Sequence, residues 1–385
     1  MAGTVTGLRR SVTGEPCGLN CREQGVQAKP TVWCWGVSRL LSTLLLAALV
    51  LPGGARASDT EGALRLTSRL MVDSNAPRDF HGPETPAPLA DLALSVLAAA
   101  DGRITGESLQ LVGRYELGGR KYARYTSEDV LVQAGALEGS MALGTQAGLG
   151  LEGRAKDRRG GSRDYSDLGA DAFLEYVPDV RLALRIRAGA HRFVYRPDSR
   201  ANFGGSEVGF LGRYRFDRRH SLSVFGEYGG RRYGVEARPP PERQGLSLGR
   251  RQDGALSAGA TYTYRGPLAL GLTYTFQEIS SNSFGETVLR HRLSGSVGLK
   301  LPWNVTALAQ GALGLSRYPD GIYLSPEIIL VEEDEGQNAL SLKLARPVNA
   351  HLDLELSYSL YGTRLPRNEL SYLRQVAGVG LTWRM

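Results

Sequence analysis

Along most of the chain, apolar and polar residues change places at every second position. Leu268, Leu270, Leu272, Tyr274 and Phe276 fall on one face of an extended segment; Ala269, Gly271, Thr273, Thr275 and Gln277 fall on the other. The segment before it repeats the pattern, with Leu256, Ala258, Ala260, Tyr262 and Tyr264 set against Ser257, Gly259, Thr261 and Thr263. A period of two gives a strand one face in an apolar medium and one that is polar. Gly266-Pro267 between the two segments predicts a two-residue turn. From Ala63 onward no stretch has helical periodicity, so the pattern predicts an all-β fold.

The alternation predicts about sixteen strands: 63–73, 89–100, 107–118, 129–137, 142–154, 168–176, 180–194, 206–216, 220–232, 253–265, 268–277, 288–300, 304–316, 338–346, 350–361 and 371–385. The segment 129–137 is short and 317–337 has room for a further hairpin, so fourteen or eighteen strands fit the same pattern. Tight turns are expected at Asp101-Gly102, Glu138-Gly139, Val177–Asp179, Asp217–Arg219, Pro302–Asn304 and Pro347–Asn349. Longer polar loops are expected near 74–88, 119–128, 155–167, 195–205, 233–252, 278–287, 317–337 and 362–370. Short and long connections alternate, which puts both chain ends on the short-turn side.

The last thirteen residues carry a resemblance. Ala377, Val379, Leu381, Trp383 and Met385 alternate with Gly378, Gly380, Thr382 and Arg384, and the strand ends the chain with no polar tail. This resembles the closing strand of bacterial outer-membrane β-barrels, with Met385 where those usually end in Phe or Trp. The resemblance implies a porin-like, transmembrane, antiparallel up-and-down β-barrel with periplasmic turns, outer loops and a wall against outer-membrane lipid and lipopolysaccharide. The physical reason for closure is that lipid cannot hydrogen-bond a bare backbone, so a sheet in a membrane must leave no edge. A soluble sandwich or propeller would also alternate, but it would bury bulkier residues than the many Gly and Ala found here.

The N-terminal region predicts export from the cytoplasm. Arg39 precedes the apolar run Leu40–Leu51, followed by Pro52-Gly53-Gly54 and the small-residue site Ala55-Arg56-Ala57. That order is a secretory signal peptide, and the run is too short to span a membrane as a helix. Residues 1–57 are therefore expected to be a cleaved leader and 58–385 a single barrel domain. The stretch before Arg39 is long for a signal peptide and points to a start codon downstream of Met1.

Removing the leader changes the bulk picture. All three cysteines (Cys17, Cys21 and Cys34) lie in it, so the remainder forms neither a disulfide nor a thiolate metal site. The leader holds six basic and two acidic residues, so the formal charge falls from +7 to about +3, and no nucleic-acid partner is expected. A mean hydropathy of -0.22 excludes a helical membrane protein but not a barrel, half of whose strand residues face water.

The two faces separate by chemistry. The expected outer face carries Leu109, Leu111, Tyr115 and Leu117; Leu182, Leu184 and Ile186; Val208, Phe210, Tyr214 and Phe216; and Leu352, Leu354, Leu356 and Tyr358, with Arg192 as its main charged exception. The expected channel lining carries Arg65, Arg69, Arg114, Arg181, Arg185 and Arg187, then Arg213, Arg215, Arg290, Arg292 and Lys300. Arg154, Arg265, Lys343, Arg374 and Arg384 share that face. Its carboxylates are Asp171, Glu175, Glu207, Glu227, Asp353 and Glu355, with Glu116 and Glu152. This is a two-to-one excess of cations. Asp171 and Glu175 are placed to pair with Arg181, Arg185 and Arg187. A sixteen-stranded barrel is too wide for side chains to fill, so a positive wall would favour anions in an aqueous channel.

Motifs that look chemical do not assemble a catalytic site. Gly148–Gly153 fits a G-x-G-x-x-G string inside a strand, with no helix following to bind a dinucleotide. His351, Asp353 and Glu355 share a face at i, i+2 and i+4, a pattern of wall hydrogen bonding more than of metal binding. His291 and Ser294 fall on opposite faces of one strand. The acidic run Glu332–Glu335 reads as a solvated surface, and the apolar Gly321–Val331 before it as a hairpin extension or an inward constriction. No enzyme activity, metal or cofactor is expected. The arginine-rich lining and large loops are similar in kind to barrels that export acidic exopolysaccharide with a periplasmic partner. A general diffusion porin and a surface barrel with a plugged lumen are the alternatives.

Overall fold

The computed structural model describes residues 59–78, 89–161, 163–320, 338–364 and 371–385. The leader, the run 321–337 and the tip of the last long loop lie outside the described residues. Sixteen antiparallel strands form one closed barrel. They are β1 Asp59–Asp73, β2 Asp91–Thr105, β3 Leu109–Tyr122, β4 Val130–Leu143, β5 Ala147–Arg159, β6 Tyr165–Tyr176, β7 Leu182–Tyr195 and β8 Phe203–Arg215. The second half comprises β9 His220–Glu236, β10 Arg250–Arg265, β11 Leu268–Ser281, β12 Val288–Lys300, β13 Thr306–Arg317, β14 Ala339–Pro347, β15 Leu352–Arg364 and β16 Ser371–Arg384. Each strand pairs with its sequence neighbours, and β1 closes on β16 from Arg65↔Arg384 to Asp73↔Val376. The first and last strands thus hide each other's edges, as the closing pattern of the C-terminus predicts.

Register identifies the faces. Directly paired residues point the same way, so Leu66, Ala98 and Leu117 share one face, and Arg65 and Ala99 the other. Arg154 of β5 reaches Glu207 of β8, and Arg69 of β1 reaches Glu355 of β15. Side chains can bridge strands that are not neighbours only on the concave side of a curved sheet. The polar face is therefore the inside, and the leucine-rich face is the outside.

The outside is not packed against protein. Ile186 is 60% exposed and Leu315 77%, and large apolar side chains recur there on nearly every strand. So continuous an apolar surface is stable only with a non-aqueous solvent around it. The buried side chains gather at the long-loop end, where Met71, Ala76, Ala93 and Tyr122 form a small cluster with Tyr125 and Val376 against it.

Two expected turns are wrong. Asp101-Gly102 lies within β2, where Asp101 pairs with Ala63 and Arg114, and Glu138-Gly139 lies within β4 opposite Glu152 and Leu151. The chain reverses instead after Thr105 and after Leu143, the latter at Gly144, whose φ of +79° suits a residue with no Cβ. Asp-Gly is a strong hairpin signal locally. Here the cross-strand alternation continues past it and overrides it. Strands β2 to β5 consequently run several residues further than the pattern suggests.

Candidate functional site: the inner wall of the barrel

Alternation along each strand decides which side chains reach the inside, and the curvature then brings distant strands within ion-pair range. The densest network spans β4 to β9. Arg154 donates to Asp171 at 2.6 Å and to Glu207 at 2.9 Å. Arg187 meets the same two carboxylates, Asp171 at 3.6 Å and Glu207 at 3.3 Å, and also Glu227. Arg185 bridges Glu175 at 3.1 Å and Glu138 at 3.3 Å, its guanidinium lying 4.0 Å from the centre of the Phe173 ring. A second network joins the seam strands: Glu355 accepts from Lys343 at 2.6 Å and Arg69 at 2.9 Å, while Arg384 pairs with Asp353. Among the described residues these pairs join strands no more than three apart around the wall.

The remaining expected lining residues lie elsewhere. Arg65 pairs in register with Arg384 and Ala99, and Arg114 holds Asp101 at 2.8 Å near the short-turn end. Arg290 is buried near the loop end, donating to Gln277 at 3.3 Å. Arg292 sits opposite Thr275 and Gly314. Arg213, Arg215 and Lys300 occupy the last positions of β8 and β12, with Arg265 likewise ending β10. Arg181 stands in the turn before β7, its carbonyl accepting from the Arg215 backbone N–H at 2.8 Å. Among the described residues, no carboxylate comes within 4 Å of Arg181, Arg213, Arg215, Arg265 or Lys300, and all five are exposed. The nearby Asp217 is occupied differently: backbone N–H groups of Arg219 and His220 hold its carboxyl below the usual range.

Sequence reasoning missed several inward charges. Asp73, Asp91, Asp101, Glu138, Asp167 and Asp253 all share the inner face by register, as do Arg103, Arg120, Lys156, Arg158 and Arg231. With these five cations and six carboxylates added, the excess narrows from two-to-one to about three-to-two. Asp101, Arg103 and Glu138 were hidden by the false turns. Arg120, Lys156, Arg158 and Asp167 sit on strand extensions towards the loops, where alternation carries on through residues that look like loop sequence, while Asp73, Asp91, Arg231 and Asp253 fall inside the expected strands and were not assigned to the lining.

At the loop end two buried groups complete the wall. Arg374 is 1% exposed and grips Asp73 with Nε and Nη2, at 3.0 and 2.7 Å, while Tyr122 donates its hydroxyl to Asp73 at 2.8 Å. Arg251 holds Asp253 at 2.7 Å and Glu286 at 3.3 Å beneath the Tyr233 ring. His351, Asp353 and Glu355 are divided: His351 faces the Arg384 carbonyl at 3.1 Å, and each carboxylate has its own cation. His291 lies on the outer face with Tyr274 at 2.8 Å, and Ser294 opposite Thr273 on the inner one. Gly148–Gly153 lies inside β5.

No protein-family model and no curated protein matches the chain. Solved structures similar in fold include a bacterial polysaccharide outer membrane secretin, 10% identical, with 84% of this chain and 98% of that one covered and a TM-score of 0.40. Acinetobacter baumannii OccAB3 is 10% identical over 85% of this chain and all of its own, with a TM-score of 0.44. Pseudomonas aeruginosa OccK11 is 14% identical over 86% and 97%, with a TM-score of 0.42. Likeness at this level carries no argument about cargo. A closed antiparallel sheet of sixteen strands, apolar on its convex face and charged on its concave one, is the architecture of an outer-membrane β-barrel.

Proposed function

We propose that the barrel is an outer-membrane channel for polar or anionic solutes, and that its most specific role is export of an acidic polysaccharide. The observation that supports this is the group of exposed arginines and lysine at the short-turn mouth, Arg181, Arg213, Arg215, Arg265 and Lys300, with no carboxylate within 4 Å among the described residues. At a mouth with low-dielectric walls, unpaired cations concentrate anions and raise their entry rate. Residues 1–57 act as a cleaved leader, which places both ends of the mature chain and this mouth in the periplasm. Solute would then meet its highest positive charge on entering from inside the cell, the polarity an exporter needs. A periplasmic partner would deliver the chain to that mouth. Deeper in, the paired Arg154, Arg185 and Arg187 offer a sliding surface on which one anion can replace another.

The test is single-channel recording in planar bilayers under a salt gradient. An anion-selective reversal potential that moves towards cation selectivity in Arg213→Gln/Arg215→Gln/Lys300→Gln supports the reading; cation selectivity in the unaltered protein overturns it. The packed loop end around Met71, Ala76 and Tyr122 favours a second reading, a plugged structural barrel. Absence of conductance would decide for that one.

A further inference from the structure

Between β7 and β10 the outer wall departs from the chemistry of a hydrocarbon solvent. Arg192 of β7 and Arg232 of β9 both point outward, on either side of Gly204 in β8, in the row Arg192↔Gly204↔Arg232↔Gln252. Both are exposed, and neither has a carboxylate within ion-pair distance among the described residues. Two strand spacings separate their backbones by about 10 Å, so their side chains can converge over the glycine between them. Glu236, the nearest outward carboxylate on β9, is paired in register with Arg250 instead.

The row below is built of minimal side chains: Ala190, Ser206, Gly230 and Gly254. A Cβ on Gly230 would meet no atom within 4 Å, and one on Gly254 would meet only the Tyr228 hydroxyl at 3.8 Å. The result is a depression of about 680 Å³ whose lining includes Gly204, Ser206, Tyr228, Gly230, Arg232 and Gly254. Gly204 lies roughly ten residues along β8 from Tyr214, the aromatic at the short-turn edge. With the tilt of barrel strands, that distance brings it to about the opposite edge of the ~25 Å apolar band. Arg232 thus lines a hollow that faces the acyl chains at headgroup height, with Arg192 two strands away in the same outward row.

We propose that Arg192 and Arg232 clamp the phosphate of an outer-leaflet lipid, with one of its acyl chains lying in the trough over Ser206, Gly230 and Gly254. Guanidinium is the cation suited to phosphate, because its planar donors make paired, charge-assisted hydrogen bonds. Gln252 at the end of the row adds a neutral donor for a sugar or phosphate oxygen. The assignment rests on the barrel's place in a membrane and not on the channel reading, since both arginines lie on the wall opposite the lumen.

Native mass spectrometry of the detergent-solubilised full barrel, titrated with bisphosphorylated lipid A, tests it. Arg192→Gln/Arg232→Gln should bind about tenfold more weakly or worse, the loss expected for charge-assisted bonds. Gly230→Leu, which fills the trough and leaves both cations in place, should weaken binding as well. The same lipid with its phosphates removed should bind the unaltered and the doubly substituted barrels alike, and inorganic phosphate should not compete at matched concentration. Equal lipid retention by the unaltered and doubly substituted barrels overturns the site. Full competition by inorganic phosphate overturns the lipid as its occupant. Conductance and ion selectivity should not change in either variant, so a failed channel reading would be seen separately.

Discussion

The buried pair at the seam gives the most demanding test of the fold. Replacing Asp73 with Ala removes the carboxylate that Arg374, at 1% exposure, grips with Nε and Nη2, and takes away the acceptor of the Tyr122 hydroxyl. An uncompensated buried charge of this kind costs about 3–5 kcal/mol. Arg374→Met alone should cost a similar amount, because it strands the carboxylate. Changing both removes the charges together and leaves mainly the Tyr122 hydroxyl unsatisfied, a cost of about 1–3 kcal/mol. The double variant should therefore be more stable than either single one. Urea unfolding of the barrel in detergent, followed by tryptophan fluorescence, measures all four corners of this cycle. A double variant as unstable as the sum of the singles would mean that Asp73 and Arg374 do not act as a pair, and the closure geometry would be refuted with it.

Three further outcomes follow from the packing and charge. Ile186→Arg, on the outward face near the middle of β7, should cost about 2–4 kcal/mol, and the same change at the solvent-side Val180 should cost little; refolding yield into lipid vesicles compares them. Gly189→Ala would put a methyl 2.0 Å from Asp171 Oδ1, so it should displace that carboxylate from Arg154 and Arg187 and cost about 1–3 kcal/mol by urea unfolding. Burial pushes the Glu286 carboxyl up, against the pull of Arg251. A raised folded value means that its contribution is fully present below the unfolded pKa and is lost as pH rises through the folded one; Glu286→Gln should flatten that part of the stability profile.

The sequence makes the barrel legible because lipid and water impose one rule on every strand. Leu268–Gln277 and the closing run to Met385 show it directly, and the even strand number with both ends at the short turns follows from counting. Turn positions were less legible. Asp101-Gly102 has the local chemistry of a hairpin, yet Asp101 serves as the partner of Arg114 within a continuous strand. The inner network was legible only where partners lie on adjacent strands, as for Glu175 with Arg185 and Asp171 with Arg187. Arg154 with Glu207 and Arg69 with Glu355 depend on the curvature of the closed sheet, which no local pattern encodes.

Asp73 and Arg374 are 301 residues apart in the chain. Nearly the whole protein must be made and threaded into place before one can meet the other, so the pair registers completion. A barrel halted one strand short has the same greasy exterior as a finished one, but it still carries an unanswered carboxylate at its open margin. The last strand thus does more than shut the cylinder: it supplies the counterion that marks the cylinder as whole.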